Sequence, residues 1–322
     1  MPPQRGCPQT YPDNQYFTSV FNRFNAAGYT TSSYHNLDST YYARDVFHLS
    51  MGSGHYYDGN ELGISFDSSN FVEWPSDVEL MEKASAIFSQ NEPFMAWITT
   101  VTAHQPYEEE STYGEKYLSL FDDTDYSITL KRYLSKLKVT DDALGALLQE
   151  LEAKDILDDT VIVLYGDHYP YGLSNEDVAA AVDYDITDFY EIERTPFVIY
   201  NSTLEQQVFE ENTFYMNILP TLLNLFDLDY DPRLYFGEDL FSPTYSNRVI
   251  FADGSWQDTI ARYDASTGEV TYLGEETYTL KEIQKINREI YLKKQMSQLA
   301  VTTNYYQDLE EKIEAKQREL KE

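Results

Sequence analysis

The stretch TVIVLYGDHYPYG, from Thr160 to Gly172, decides the fold. Val161, Ile162, Val163, Leu164 and Tyr165 are five successive β-formers with no charge among them. Such a run predicts a strand buried on both faces, of the kind found in the middle of a parallel sheet. Gly166 ends it, and Asp167 and His168 follow at once. Adjacent residues in a regular strand point to opposite faces. For both to serve one site they must lie just past the strand, where Gly166 lets the backbone turn. Open α/β sheets meet their ligands at the carboxyl ends of strands, and a carboxylate beside an imidazole is a donor pair suited to a divalent metal. A turn or helix-cap role for the aspartate is the competing reading.

Working outward, the leucine pattern of residues 131–157 predicts a long helix leading directly into this strand, a βαβ unit. Three more β-prone runs flank it: Tyr29–His35, Phe94–His104 and Arg194–Ser202. Three of the four strands end on titratable groups, at His35, at His104 and at Asp167 with His168. Parallel strands share one carboxyl edge, so imidazole and carboxylate are expected to gather on a single rim, in a chain with only five histidines. Arg44, nine residues after His35, is a candidate fork for a phosphate group, with a salt bridge as its ordinary alternative. Lys131, Arg132 and Lys136 read as the solvated face of the long helix. His48 and His55 read as packing or surface histidines within a long loop.

The remaining chain is organised around these strands. Residues 1–14 read as a ragged start, and Tyr16–Ala27 as a short amphipathic helix closed by Gly28. Ser76–Gln90 is a helix with Ser76 as N-cap and Glu79 three residues on. Glu108–Asp125 is expected to be a solvated acidic connection, and residues 173–191 an acidic region with a short helix near Val178. Pro220 is expected to interrupt the apolar helix Phe214–Leu228. Residues 247–278 read as a small antiparallel subdomain and 279–322 as a helical segment, leaving 1–246 as the main α/β domain.

With 322 residues there is chain enough for one large domain with an appendage, or for two. The balance of 23 basic against 55 acidic residues, a formal charge of −32, excludes nucleic acid as a partner and disfavours direct docking on anionic lipid. Twenty-nine tyrosines and 17 phenylalanines exclude a disordered acidic chain. One cysteine, Cys7, rules out an internal disulfide. No run of eighteen apolar residues occurs, so the chain taken literally is soluble.

At these residues the sequence resembles the lipoteichoic acid synthase family of the alkaline phosphatase and sulfatase superfamily, from about Tyr16 to about Gln257. LYGDHYPYGL resembles the family's metal-binding segment, TVTAHQPY a segment with a substrate-contacting histidine, and HNLDSTYYARD a segment that contacts glycerol phosphate. GEDLFSP and NRVIFADGSWQ are also similar to such proteins. The resemblance implies an α/β fold with a mostly parallel sheet sandwiched by helices. It implies Asp167 and His168 as ligands of one Mn2+ or Mg2+ ion, and His35, Tyr42, Arg44 and His104 as substrate-binding residues. Tyr42 falls where the family often has tryptophan, and Leu37 where it has an acidic residue, with Asp38 next to it.

The family's glutamate ligand and threonine nucleophile would both precede Tyr16, so the chain is expected to be N-terminally truncated, without a catalytic nucleophile and without membrane helices. Cys7 lacks the proline and arginine of the sulfatase cysteine motif, and Thr102 reads as structural. The implied activity is transfer or hydrolysis of glycerophosphate from an anionic lipid or polymer such as phosphatidylglycerol, at the outer face of a bacterial membrane. A sulfuric ester hydrolase, a non-catalytic acidic cell-surface domain and a cytosolic structural protein remain as alternatives.

Overall fold

The computed structural model describes residues 11–184, 186 and 189–320. Cys7 lies outside the described residues. In chain order the elements are α1 (Val20–Ala26), β1 (Thr30–His35), α2 (Arg44–Ser50), β2 (Tyr56–Tyr57), α3 (Asp77–Phe88), β3 (Phe94–Thr99), α4 (Thr112–Lys116) and α5 (Ile128–Ala153). Then come β4 (Ile162–Tyr165), α6 (Asn175–Ala181), α7 (Phe189–Ile192), β5 (Phe197–Tyr200) and α8 (Tyr215–Leu225). The chain continues through β6 (Val249–Ile250), β7 (Trp256–Gln257), β8 (Ala261–Tyr263), β9 (Val270–Tyr272), α9 (Leu280–Thr302) and α10 (Tyr305–Glu319). Two compact units result, one of Met1–Thr31, Tyr42–Gly54 and Gln207–Glu322, the other of Ser32–Tyr41 and His55–Gln206.

The second unit carries the strands singled out above. Its first sheet has the order β2-β1-β3, with β1 and β2 parallel and Ser33 opposite Tyr56. Helices α3 and α5 bury Leu80, Ala84, Ala143, Leu147 and Leu151 against Tyr34 and Ile64, and each fully buried leucine contributes about 2 kcal/mol. Strand β4 departs from expectation. It pairs antiparallel with β5, Ile162 opposite Tyr200, in a sheet of two strands. Leu164 is 41% exposed, so the strand is neither central nor covered on both faces. Consequently α5 does not join two strands of one parallel sheet. Leu164 and Val198, opposite each other on one face of this pair, are both largely exposed.

The face of α5 also differs from its reading. Arg132 and Lys136 are buried, not solvated. They extend the stripe of Val139, Ala143, Leu147 and Leu151 back toward the start of the helix, at three- and four-residue spacing. Arg132 binds the Glu108 carbonyl at 2.6 Å and Glu115 at 2.7 Å. The acidic connection is therefore anchored to α5 and folds into α4, which Ser111 caps. The segment read as one long loop after His35 contains α2 and β2, seven and two residues long, too short to show a period.

In the first unit, α8 runs through Pro220 without a break. Gly237 lies so close to this helix that a Cβ there would fall 1.9 Å from the Met216 carbonyl oxygen, the atom Pro220 lacks an N–H to engage. Asn217 fixes the approach by accepting from the Glu238 N–H at 2.9 Å. Strands β6 to β9 form an antiparallel meander whose Trp256 is fully buried against Ile286 and Ile290 of α9. The indole N–H of Trp256 donates to Asn287 at 2.7 Å.

One buried carboxylate ties the second unit together. Asp77, at the first turn of α3, is 0% exposed. It accepts hydrogen bonds from Asn36 after β1, from the Val101 and Thr102 N–H groups after β3, and from Thr140 of α5. Burial pushes its carboxyl up while these donors pull it down, burial being the larger effect. Removing it strands four donors in the interior. Asp77→Ala is expected to lower stability by at least about 3 kcal/mol, read as a shift in the urea midpoint. Asp77→Asn, which keeps one accepting oxygen, should cost distinctly less, and equal losses would contradict this account.

Candidate active site

The site is assembled from the ends of β3 and β4. After β4 the Gly166 N–H bonds the Pro196 carbonyl at 3.3 Å, and the chain then presents Asp167 and His168 at the surface, their side chains 73% and 42% exposed. His168 Nε2 lies 3.7 Å from Asp167 Oδ1. After β3, Val101 and His104 close a turn through a 2.9 Å bond from the His104 N–H. The turn brings the His104 ring to 6.2 Å from that of His168, the two nearly perpendicular. Trp74 packs edge-on against His104 at 5.1 Å, and Tyr171 lies 4.7 Å from His168.

Three imidazoles have the same orientation. Nδ1 faces the Gln105 carbonyl at 3.0 Å in His104, the Tyr169 carbonyl at 2.8 Å in His168 and the Thr99 carbonyl at 2.8 Å in His35. A carbonyl oxygen only accepts, so Nδ1 carries the proton and Nε2 is the basic nitrogen of the neutral ring. This arrangement suits metal ligands and general bases alike. His35, at the end of β1, is almost fully buried and packs 6.1 Å from Tyr41.

Tyr42 and Arg44 belong to the first unit, where the guanidinium lies 5.9 Å above the tyrosine ring. Tyr42 and Ala43 both have positive φ, 56° and 49°, a strained pair for residues with a Cβ. His48, also in that unit, is buried beside Phe21 and held down to about 4 by burial and by Arg44. His55, in the second unit, pairs with Glu61 at the surface.

The donors fit a divalent cation in part. Ligands about 2.1 Å from one ion sit about 3.0–3.4 Å apart, so Asp167 and His168 at 3.7 Å fit two positions after a small side-chain rotation. Among the described residues no group of three or more His, Cys, Asp or Glu side chains gathers to complete a site. Thr102 is fully buried, donating to the Pro75 carbonyl and accepting from the Asp77 N–H, which is a structural role. Trp74, Tyr171 and Lys136 were not anticipated as neighbours of the site.

A family model described as Sulfatase matches residues 4–228. The chain belongs to the sulfatase family. It is similar to lipoteichoic acid synthase 1 of Bacillus subtilis, 27% identical over 82% of this chain and 42% of the relative. It is equally similar to the lipoteichoic acid synthase of Staphylococcus saprophyticus, 27% identical over 71% of this chain and 35% of the relative. This sulfatase-family chain thus spans less than half the length of these two relatives. Among solved structures it superposes on the lipoteichoic acid synthase LtaP of Listeria monocytogenes with a TM-score of 0.69 at 24% identity, over 92% of this chain and 75% of that one. An alkaline phosphatase superfamily protein of Vibrio parahaemolyticus matches with a TM-score of 0.63 at 16% identity, over 95% of this chain and 73% of that one. The mixed α/β fold is that of the alkaline phosphatase and sulfatase superfamily.

Beneath the site, burial lowers Lys136 to about 8 from 10.5, against the pull of Glu73. Between those values the unfolded chain holds a proton that the native chain has lost, so unfolding takes up a proton. The lysine's contribution to stability is complete above pH 10.5 and is lost as pH falls through about 8. The stability of the wild type relative to Lys136→Met should rise by up to about 3 kcal/mol across this window. Urea denaturation at several pH values checks it, and a constant difference would contradict the shift.

Proposed function

We propose that this chain contributes the metal- and headgroup-binding surface of a glycerophosphate transferase or phosphodiesterase acting on an anionic lipid or polymer. The observation that carries this reading is the convergence of Asp167, His168 and His104 at the ends of two strands, with both imidazoles turned to present Nε2. In this reading Asp167 and His168 hold a Mn2+ or Mg2+ ion. When bound, the ion supplies charge neutralisation at phosphoryl oxygens. The relatives' name, lipoteichoic acid synthase, supports phosphoryl over sulfuryl chemistry.

The chain's own residues supply orientation. His104 Nε2 can donate to a phosphate oxygen when protonated or accept a hydroxyl proton when neutral. Trp74 and the Gln105 carbonyl hold its ring, so little freedom is lost on binding. His35 is assigned to the same headgroup. Tyr42 and Arg44 are assigned to substrate on their chemistry and the family resemblance, a guanidinium being the natural fork for phosphate oxygens. A formal charge of −32 repels an anionic headgroup, so admission requires a local cation.

Calorimetric titration tests this. Mn2+ should bind the wild-type chain, and Asp167→Ala and His168→Ala should each weaken it by about tenfold or more. Unchanged affinity in both would remove the metal assignment. With Mn2+ present, glycerol phosphate should bind and His104→Ala should weaken it by a similar factor. Preferential binding of a sulfate monoester would move the reading to sulfate esters.

A further inference from the structure

Lys136 is the only lysine among the described residues that is fully buried, and its ammonium lies beneath the turn that carries His104. Nζ donates to the His104 carbonyl at 3.1 Å and to the Pro106 carbonyl at 3.0 Å. The carbonyl between them, that of Gln105, receives the Nδ1–H of His104 at 3.0 Å and the indole N–H of Trp74 at 2.8 Å. Three successive carbonyls are thus all engaged, the outer two by one ammonium and the middle one by the imidazole itself.

We propose that Lys136 is a positioning residue for His104, fixing the carbonyls on either side of Gln105 and thereby the carbonyl that sets the tautomer and direction of the imidazole. This rests on the reading of His104 as a substrate-binding group. The argument is geometric. Two flanking peptide oxygens held by one point charge leave the middle peptide little freedom to rotate, and a charged donor holds them more strongly than a neutral one. The helix makes this possible because Lys136 lies one turn after Arg132, which holds the Glu108 carbonyl. The two cations together clamp the chain from His104 to Glu108.

The clamp depends on charge. The groups around the ammonium are Glu73, whose charge favours the protonated lysine, and Tyr107, whose ring centre is 5.6 Å away and whose hydroxyl is pushed well above its usual range by burial. Arg132 lies one turn before Lys136 on α5. Burial brings Lys136 to about 8, so the ammonium is expected to give up its charge at mildly alkaline pH, while Tyr107 stays neutral.

Nitrogen-15 NMR of histidine-labelled full chain provides a test that needs no catalytic turnover. At neutral pH the wild type should show His104 and His168 as Nδ1–H tautomers. In Lys136→Met the His104 ring should lose this preference while His168 keeps it. A pH titration of the wild type should show an inflection in the His104 signals near pH 8 that follows Lys136 and is absent in Lys136→Arg, which stays charged. An unchanged His104 tautomer in a folded Lys136→Met would overturn the proposal. If that variant does not fold, the titration decides, and either a featureless wild-type curve near pH 8 or an inflection that persists in Lys136→Arg would overturn it. Failure of His104→Ala to weaken glycerol phosphate binding would instead count against the substrate role, leaving the positioning result intact.

Discussion

The second unit depends on keeping one carboxylate, that of Asp77, fully inside. A buried carboxylate without partners is unaffordable in a protein interior, and this one is tolerated because three separate segments bring it donors: Asn36 after β1, Val101 and Thr102 after β3, and Thr140 in α5. The requirement works in both directions. The carboxylate needs the donors, and the loop after β3 needs an acceptor for two consecutive N–H groups that no strand pairs. The segment leading to His104 is therefore anchored at its root, and the same anchor sets where α3 begins. Thr102 closes the arrangement by accepting from the Asp77 N–H while donating to the Pro75 carbonyl.

From that root the site is built by backbone carbonyls more than by side chains. His104, His168 and His35 each spend Nδ1 on a carbonyl within their own turn or neighbouring strand. The orientation of each imidazole is then a property of local backbone, which is stiff, and not of a flexible side-chain partner. In the loop after β3 the backbone is stiffened in turn by Arg132 and Lys136, so the rigidity of α5 is passed to the ring of His104.

Much of this was legible in the sequence. β-prone runs located β1, β3, β4 and β5, capping and apolar spacing located α3 and α5, and strand ends pointed to His35, His104, Asp167 and His168. Two failures have a common cause. The run from Val161 to Tyr165 reads as doubly buried because every residue is apolar, yet burial is set by what packs on each face, which the run itself does not encode, and the face of β4 that carries Leu164 is left largely exposed. Arg132 and Lys136 read as solvated because they are charged. The stripe of Leu151, Leu147, Ala143 and Val139, continued backward by helical steps, points straight at them. Residue type outweighed position, and position was the better guide. Asp77, for its part, is hidden in the sequence among acidic residues at a helix start, where an exposed role is the ordinary expectation.

Lys136 also bears on the electrostatics of the turn it holds. In a chain with 55 acidic residues, an exposed lysine is surrounded by carboxylates and by counterions, and its field is screened within about 8 Å. A buried ammonium is screened far less, and Lys136 meets carbonyl dipoles instead of a paired carboxylate within hydrogen-bond reach. What the protein gains from a costly buried lysine is a local departure from its own strongly negative field, placed under the one turn where an imidazole from β3 meets an imidazole from β4.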